Sequence, residues 1–142
     1  MFVTMFLGIL DLKSGVLHYC NAGHNPPVVF SSTKKPVFLP VMSNIPLGVL
    51  DGFAFQEQEI LLPADSLLYL YTDGVTEAEN TGKELFSSNR LLATLNSLRM
   101  QKPESIIRQM MREIHTHAGD AEQNDDITML CLHYTPSAHE RN

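Results

Sequence analysis

The 142-residue sequence has no tryptophan, only two cysteines, and ten Lys plus Arg against sixteen Asp plus Glu. Each shortage excludes something. Cys20 and Cys131 lie far apart, each in an apolar run, so a disulfide-dense scaffold and a cysteine-rich metal knuckle are both excluded. They read as reduced packing residues, with one disulfide as the lesser alternative. The formal charge is -6 and no basic run exceeds Lys34-Lys35, so nucleic-acid backbone binding is not expected. No apolar stretch approaches the ~18–20 residues of a membrane-spanning helix, and no charged segment precedes the apolar residues 1–10 as in a signal peptide. Together these features point to the cytoplasm. HExxH, CxxC, GxSxG and a glycine-rich nucleotide loop are missing, so zinc proteolysis, zinc ribbons and serine hydrolysis have no support.

What is present is a globular composition, 44% hydrophobic and 18% charged. A single domain of this size buries roughly two thirds of its unfolded surface without needing a disulfide or metal to fold. Residues 2–10 (FVTMFLGIL) form a nearly continuous apolar run, as expected of a strand covered on both faces. Residues 11–15 read as a hairpin turn and 16–20 (VLHYC) as the return strand. The 21–27 segment is a loop stopped by two prolines. Short strands follow at 28–30 and 36–39, then an irregular stretch over 41–52. Residues 54–62 alternate like a half-exposed strand, and 66–72 (SLLYLYT) read as a buried central one.

Residues 73–84 form a polar loop with room for a short helix near Glu77. Ser87 or Ser88 is placed to cap a helix with Leu91, Leu92, Leu95 and Leu98 on one face. Pro103 suits the first turn of the next helix. Its stripe of Ile106, Ile107, Met110, Met111, Ile114 and Ala118 ends at Gly119. An acidic loop over 120–126 leads into a last core strand at 127–134, followed by a polar tail over 135–142. Strands, then helices, then a strand, mostly joined like hairpins, predict an α+β domain with an antiparallel sheet and helices segregated to a face.

Asp73 directly follows one central strand, and Asp125 and Asp126 directly precede another. Antiparallel neighbours would bring all three carboxylates to one edge, with Asp120 and Glu122 on the adjoining loop. Like charges that close favour a cation between them. An oxygen-only donor set suits Mg²⁺ or Mn²⁺. Gly74 would let the backbone turn sharply beside Asp73. The alternative is ordinary turn chemistry, since Asp is common at such positions. His24 is open to two readings as well: a ligand or proton-transfer group, or a loop histidine bonded to backbone carbonyls.

Six motifs then occur in order: MFVTMF (1–6), the hairpin over 8–19, NAGHNPP (21–27), PLGV (46–49), YTDGVTEA (71–78) and DDIT (125–128). In this the chain resembles the bacterial PPM-type serine/threonine phosphatases of the SpoIIE/RsbU branch, relatives of PP2C, over residues 1–133. The resemblance implies two packed antiparallel sheets flanked by helices, and a two-metal Mn²⁺ or Mg²⁺ centre at one end of the sandwich. Asp73 and Asp125 match the metal ligands. Gly74, Asp126, His24 and Asn21 fall beside the site. The chemistry implied is in-line phosphoryl hydrolysis by a metal-activated water, without a covalent intermediate.

The implied substrate is a phosphorylated regulatory protein such as an anti-sigma-factor antagonist. The family also carries an Asp-Gly element upstream of the MFVT strand, which this sequence does not contain. Residues 1–134 therefore look like the C-terminal portion of such a domain, lacking its N-terminal strands and half of its ligands. Weak metal binding and little or no turnover are expected of it alone, with uncovered sheet edges that favour a homodimer. A truncated, inactive phosphatase-like interaction module is the alternative.

Overall fold

A computed structural model describes residues 1–136 of the chain; the rest of the expected polar tail lies outside the described residues. Seven strands form two antiparallel sheets. β1 (Met5–Leu10), β2 (Val16–Ala22) and β5 (Gln58–Leu61) make a three-stranded sheet in the order β1-β2-β5. β3 (Val28–Phe30), β4 (Val37–Phe38), β6 (Ser66–Tyr71) and β7 (Met129–Tyr134) make a four-stranded one in the order β4-β3-β6-β7. The helices are α1 (Asp73–Thr76), α2 (Ser87–Leu98) and α3 (Pro103–Ala118). The α+β class with antiparallel sheets is thus the observed one.

Two cores follow from this layering. Between the sheets, Leu17 and Tyr19 of β2 pack with Leu68 of β6, Tyr134 of β7, Leu39 and Leu62. Between the four-stranded sheet and the helices, Phe30, Leu67, Tyr69 and Tyr71 meet Leu91 and Leu95 of α2 and Ile106, Met110 and Ile114 of α3. β6 therefore has apolar neighbours on both faces, which its uninterrupted apolar sequence requires. The stripe read for α3 is the buried one. Pro103 opens that helix, and Gly119, with φ 58°, closes it by donating its N–H to the His115 carbonyl.

The first strand departs from expectation. Pairing in β1 begins at Met5, and only Phe6 and Leu10 are half-buried. These two, with Gly8, stand opposite Asn21, Tyr19 and Leu17 and so face the inter-sheet core. The alternate residues Leu7 and Ile9 are 57% and 68% exposed, because no described residue covers the outer face of the three-stranded sheet. The strand expected over 54–62 is also shorter. Only 58–61 pair with β2, while Gln56 is tied to Asn44, whose carboxamide accepts its N–H and donates to its carbonyl at 3.0 Å each.

Neither serine caps α2 through its side chain. Ser87 adopts φ 73° instead, and the helix entry is held by Phe86, which is buried and packs edge-on against His117. Both cysteines are free and half-buried. Burial pushes the Cys131 thiol up to about 12, which keeps it protonated and unreactive at neutral pH.

Candidate functional site

β6 and β7 are antiparallel neighbours with Tyr71 opposite Met129, so the chain leaves β6 and enters β7 at one edge. Asp73 and the Asp125-Asp126 pair both lie there. One side chain staples the two segments together. Thr72 donates its hydroxyl to the Asp126 carbonyl (3.1 Å) and accepts the Thr128 N–H on the same oxygen (3.0 Å). Its own N–H reaches the Thr128 carbonyl at 3.0 Å. Thr72 is a positioning residue the sequence reading passed over; its signal was its place inside the YTDG motif.

Asp73 opens α1, where its carbonyl accepts the Glu77 N–H at 2.8 Å and the Thr76 hydroxyl at 3.3 Å. Its carboxylate is exposed and has no partner among the described residues. Asp125 accepts the Asp126 N–H on Oδ1 at 2.7 Å, which orients its carboxylate and leaves Oδ2 open. Gly74 does not serve the sharp turn expected of it. Its φ is not positive; it lies buried in α1 and is glycine because a Cβ there would overlap the Asp126 carbonyl. An alanine would drive the Asp125-Asp126 backbone off Asp73.

The 21–27 loop comes to the same edge, since β3 runs antiparallel to β6 with Val28 opposite Tyr69. Burial opposes ionisation of the Tyr71 hydroxyl, and the Asn25 side chain of the loop partly offsets it. Asn21 is buried near the end of β2, which runs two residues into the expected loop, and clamps the residues that follow: its carboxamide donates to the His24 carbonyl (2.8 Å) and accepts the His24 N–H (2.9 Å). His24 Nδ1 lies 3.0 Å from the Asn25 carbonyl. A carbonyl only accepts, so Nδ1 carries a proton in this bond. The backbone-bonded reading of His24 holds for one ring nitrogen, and the other stays open to a ligand. Gly23, with φ 70°, lets the loop press on Pro46, and Leu47 pairs with Val3 through two N–H···O bonds of 2.9 and 2.8 Å. All the short motifs except the hairpin thus gather at one end of the sandwich.

A divalent cation fits this end in kind and only partly in number. Two carboxylates with open oxygens offer the hard donors Mg²⁺ or Mn²⁺ prefers. Among the described residues, however, no three His, Cys, Asp or Glu side chains come together to hold an ion. Asp126, Asp120 and Glu122 do not complete a three-carboxylate cluster with Asp73 and Asp125.

Comparison with known proteins places these motifs in a wider group. The family model described as Stage II sporulation protein E (SpoIIE) matches residues 1–135. Protein IcfG of Synechocystis sp. is 34% identical over 134 residues, covering 94% of this chain and 21% of that protein. Phosphoserine phosphatase RsbU of Bacillus subtilis is 23% identical over 135 residues, covering 93% of this chain and 39% of RsbU. Among solved structures, the RsbU and RsbW domains of Rv1364c from Mycobacterium tuberculosis superpose with a TM-score of 0.79 at 26% identity, covering 94% of this chain and 38% of that one. The chain thus spans well under half of these proteins.

Proposed function

The chain belongs to the SpoIIE family, and from that premise we propose that it is part of a metal-dependent serine/threonine phosphoprotein phosphatase acting in the bacterial cytoplasm. The observation that supports this reading is that Asp73 and Asp125 stand at the ends of two neighbouring antiparallel strands, within the span that the family model matches. Asp73 and Asp125 would hold Mn²⁺ or Mg²⁺, with Gly74, Asp126, Asn21 and His24 around them. Ions bound there would neutralise charge on the phosphoryl group and acidify the attacking water.

The chain's own part is positional. Thr72 and the Asp126 N–H fix where the two carboxylates stand. The Asn21 clamp holds the His24 backbone, and the Asn25 carbonyl orients the His24 ring through Nδ1. The substrate proposed is a phosphorylated regulatory protein of the anti-sigma-factor antagonist kind. The similarity to RsbU, named a phosphoserine phosphatase, supports it.

The shortage of converging ligands favours a second reading, a phosphatase-like interaction module. Mn²⁺-dependent hydrolysis of an aryl phosphate separates the two. A slow rate lost in both Asp73→Asn and Asp125→Asn supports the phosphatase. A rate indifferent to both substitutions overturns these residues as the centre. No rate at any Mn²⁺ concentration, in the full-length protein as in this chain, favours the interaction module.

A further inference from the structure

Beside the Asp73–Asp125 edge the surface opens into a groove of about 560 Å³ between α1, the last turn of α3 and the loop that precedes β7. Its wall includes Gly74 and Asp125, so it is continuous with the edge where the two metal-ligand candidates stand. Its floor is apolar: Ile114 and Ala118 of α3, Ala78 and Ile127. Its rim is acidic. Glu77, Glu79, Glu122 and Asp125 supply four carboxylates beside His115, and among the described residues no lysine or arginine lines the groove.

The four are not equivalent. Glu79 is already held by Lys83 (2.8 Å) and Asn124 (3.2 Å), and Asp125 is committed to the edge. Glu77 and Glu122 are exposed and have no cationic partner among the described residues. An apolar floor under an unneutralised acidic rim suits a side chain with an aliphatic stem and a cationic head. Arginine and lysine have that shape. A neutral apolar side chain would leave the carboxylates unanswered, and an acidic one would be repelled.

We propose that this groove is a subsite for a basic residue of the partner protein, with the methylenes of an arginine or lysine on Ala78, Ala118 and Ile127 and its charge between Glu77 and Glu122. The proposal rests on the phosphatase reading only in making that residue a neighbour of the phosphoserine. A phosphoserine seated at the Asp73–Asp125 edge would place an adjoining side chain over the groove. Substrate choice would then come from charge beside the reacting centre.

Binding without phosphate or metal tests the groove separately from turnover. Two blocked pentapeptides, Ala-Arg-Ser-Ala-Ala and its citrulline counterpart, are titrated into the 142-residue chain while the methyl resonances of Ala78, Ala118 and Ile127 are followed. The arginine peptide is expected to bind roughly five-fold more tightly, the size that two partly exposed ion pairs supply. The preference should shrink in high salt and vanish in the Glu77→Gln/Glu122→Gln variant, whose two sites are exposed and whose spectrum reports its fold. Equal affinity for the two peptides, or shifts centred away from the groove, would overturn the proposal. An arginine preference in a chain whose aryl phosphate hydrolysis is indifferent to Asp73→Asn and Asp125→Asn would uphold the groove and overturn the phosphatase centre alone.

Discussion

β1 and β6 are written in nearly the same way and end in opposite surroundings. Both are six-residue runs with hardly a polar side chain, MFLGIL and SLLYLY. In β6 five of the six residues are buried, with one sheet on one face and two helices on the other. In β1 four of the six are exposed, and Leu7 and Ile9 stand in solvent on the outer face of the smaller sheet. The comparison separates two things a sequence pattern carries. An uninterrupted apolar run states that a strand is suited to cover on both faces. Whether cover is supplied depends on elements elsewhere, which the run does not encode.

The largest expected effect tests that contrast directly. Leu67→Ala in β6 removes a side chain packed against the helices and should cost about 3 kcal/mol of stability. Ile9→Ala in β1 removes an apolar side chain of similar size from solvent and should cost less than about 0.5 kcal/mol. Chemical denaturation of the two variants measures both. Equal losses would mean that the outer face of β1 is covered in solution.

The next effect concerns that face. Exposed apolar residues on a strand at a sheet edge promote association between copies. We expect the chain to self-associate, and Leu7→Lys with Ile9→Lys to raise the dissociation constant at least about ten-fold through charge placed on the contact. Sedimentation over a concentration series reads the change. A wild-type chain that stays monomeric at high concentration would remove this surface as an interface.

Much of the fold and the candidate edge was legible in the sequence. The two buried strands flanking Asp73 and Asp125 were legible as antiparallel neighbours, and the Tyr71–Met129 register bears that pairing out. The Ile106–Met110–Ile114 stripe and the Pro103 and Gly119 boundaries were legible because helix period and terminal chemistry are local. What escaped depends on contacts between distant segments. Gly74 is glycine because of Asp126, fifty-two positions away, and not because of its own turn. The start of α2 is set by Phe86 against His117, where local pattern pointed to a serine cap. The groove joins residues 74–79 to 114–127, so no single window of sequence contains it.

A smaller effect sharpens the account of β6. Its Tyr69 is fully buried, and its hydroxyl is the only buried side-chain N or O atom without a hydrogen-bond partner among the described residues. Burial there opposes ionisation of the phenol strongly. Tyr69→Phe keeps the ring and removes the unpaired group, so it should raise stability by about 1 kcal/mol. A loss instead would mean that water or another group satisfies that hydroxyl in solution.

The smallest effect lies at the far end of the same two strands. Asp65, in the turn before β6, accepts the Ser32 hydroxyl at 3.1 Å and His133 of β7 at 2.7 Å. A carboxylate only accepts, so His133 Nε2 carries the proton in that bond. Donation from His133, then from Ser32, holds the Asp65 carboxyl below the usual carboxylate range. A folded-state pKa below the unfolded one adds stability above the unfolded value of about 4, and that stability is lost as pH falls through the folded value. The pair is more than half exposed on the Asp65 side, so solvent screening limits it to about a few tenths of a kcal/mol. Asp65→Asn tolerates the turn's φ of 69° while removing the charge, which isolates the electrostatic part. Thermal melts of the two chains should differ slightly at pH 6 and converge as pH falls through the folded value of Asp65. A difference that stays unchanged however far the pH is lowered would assign the effect to turn geometry, and the link between β6 and β7 at this end would then be steric rather than ionic.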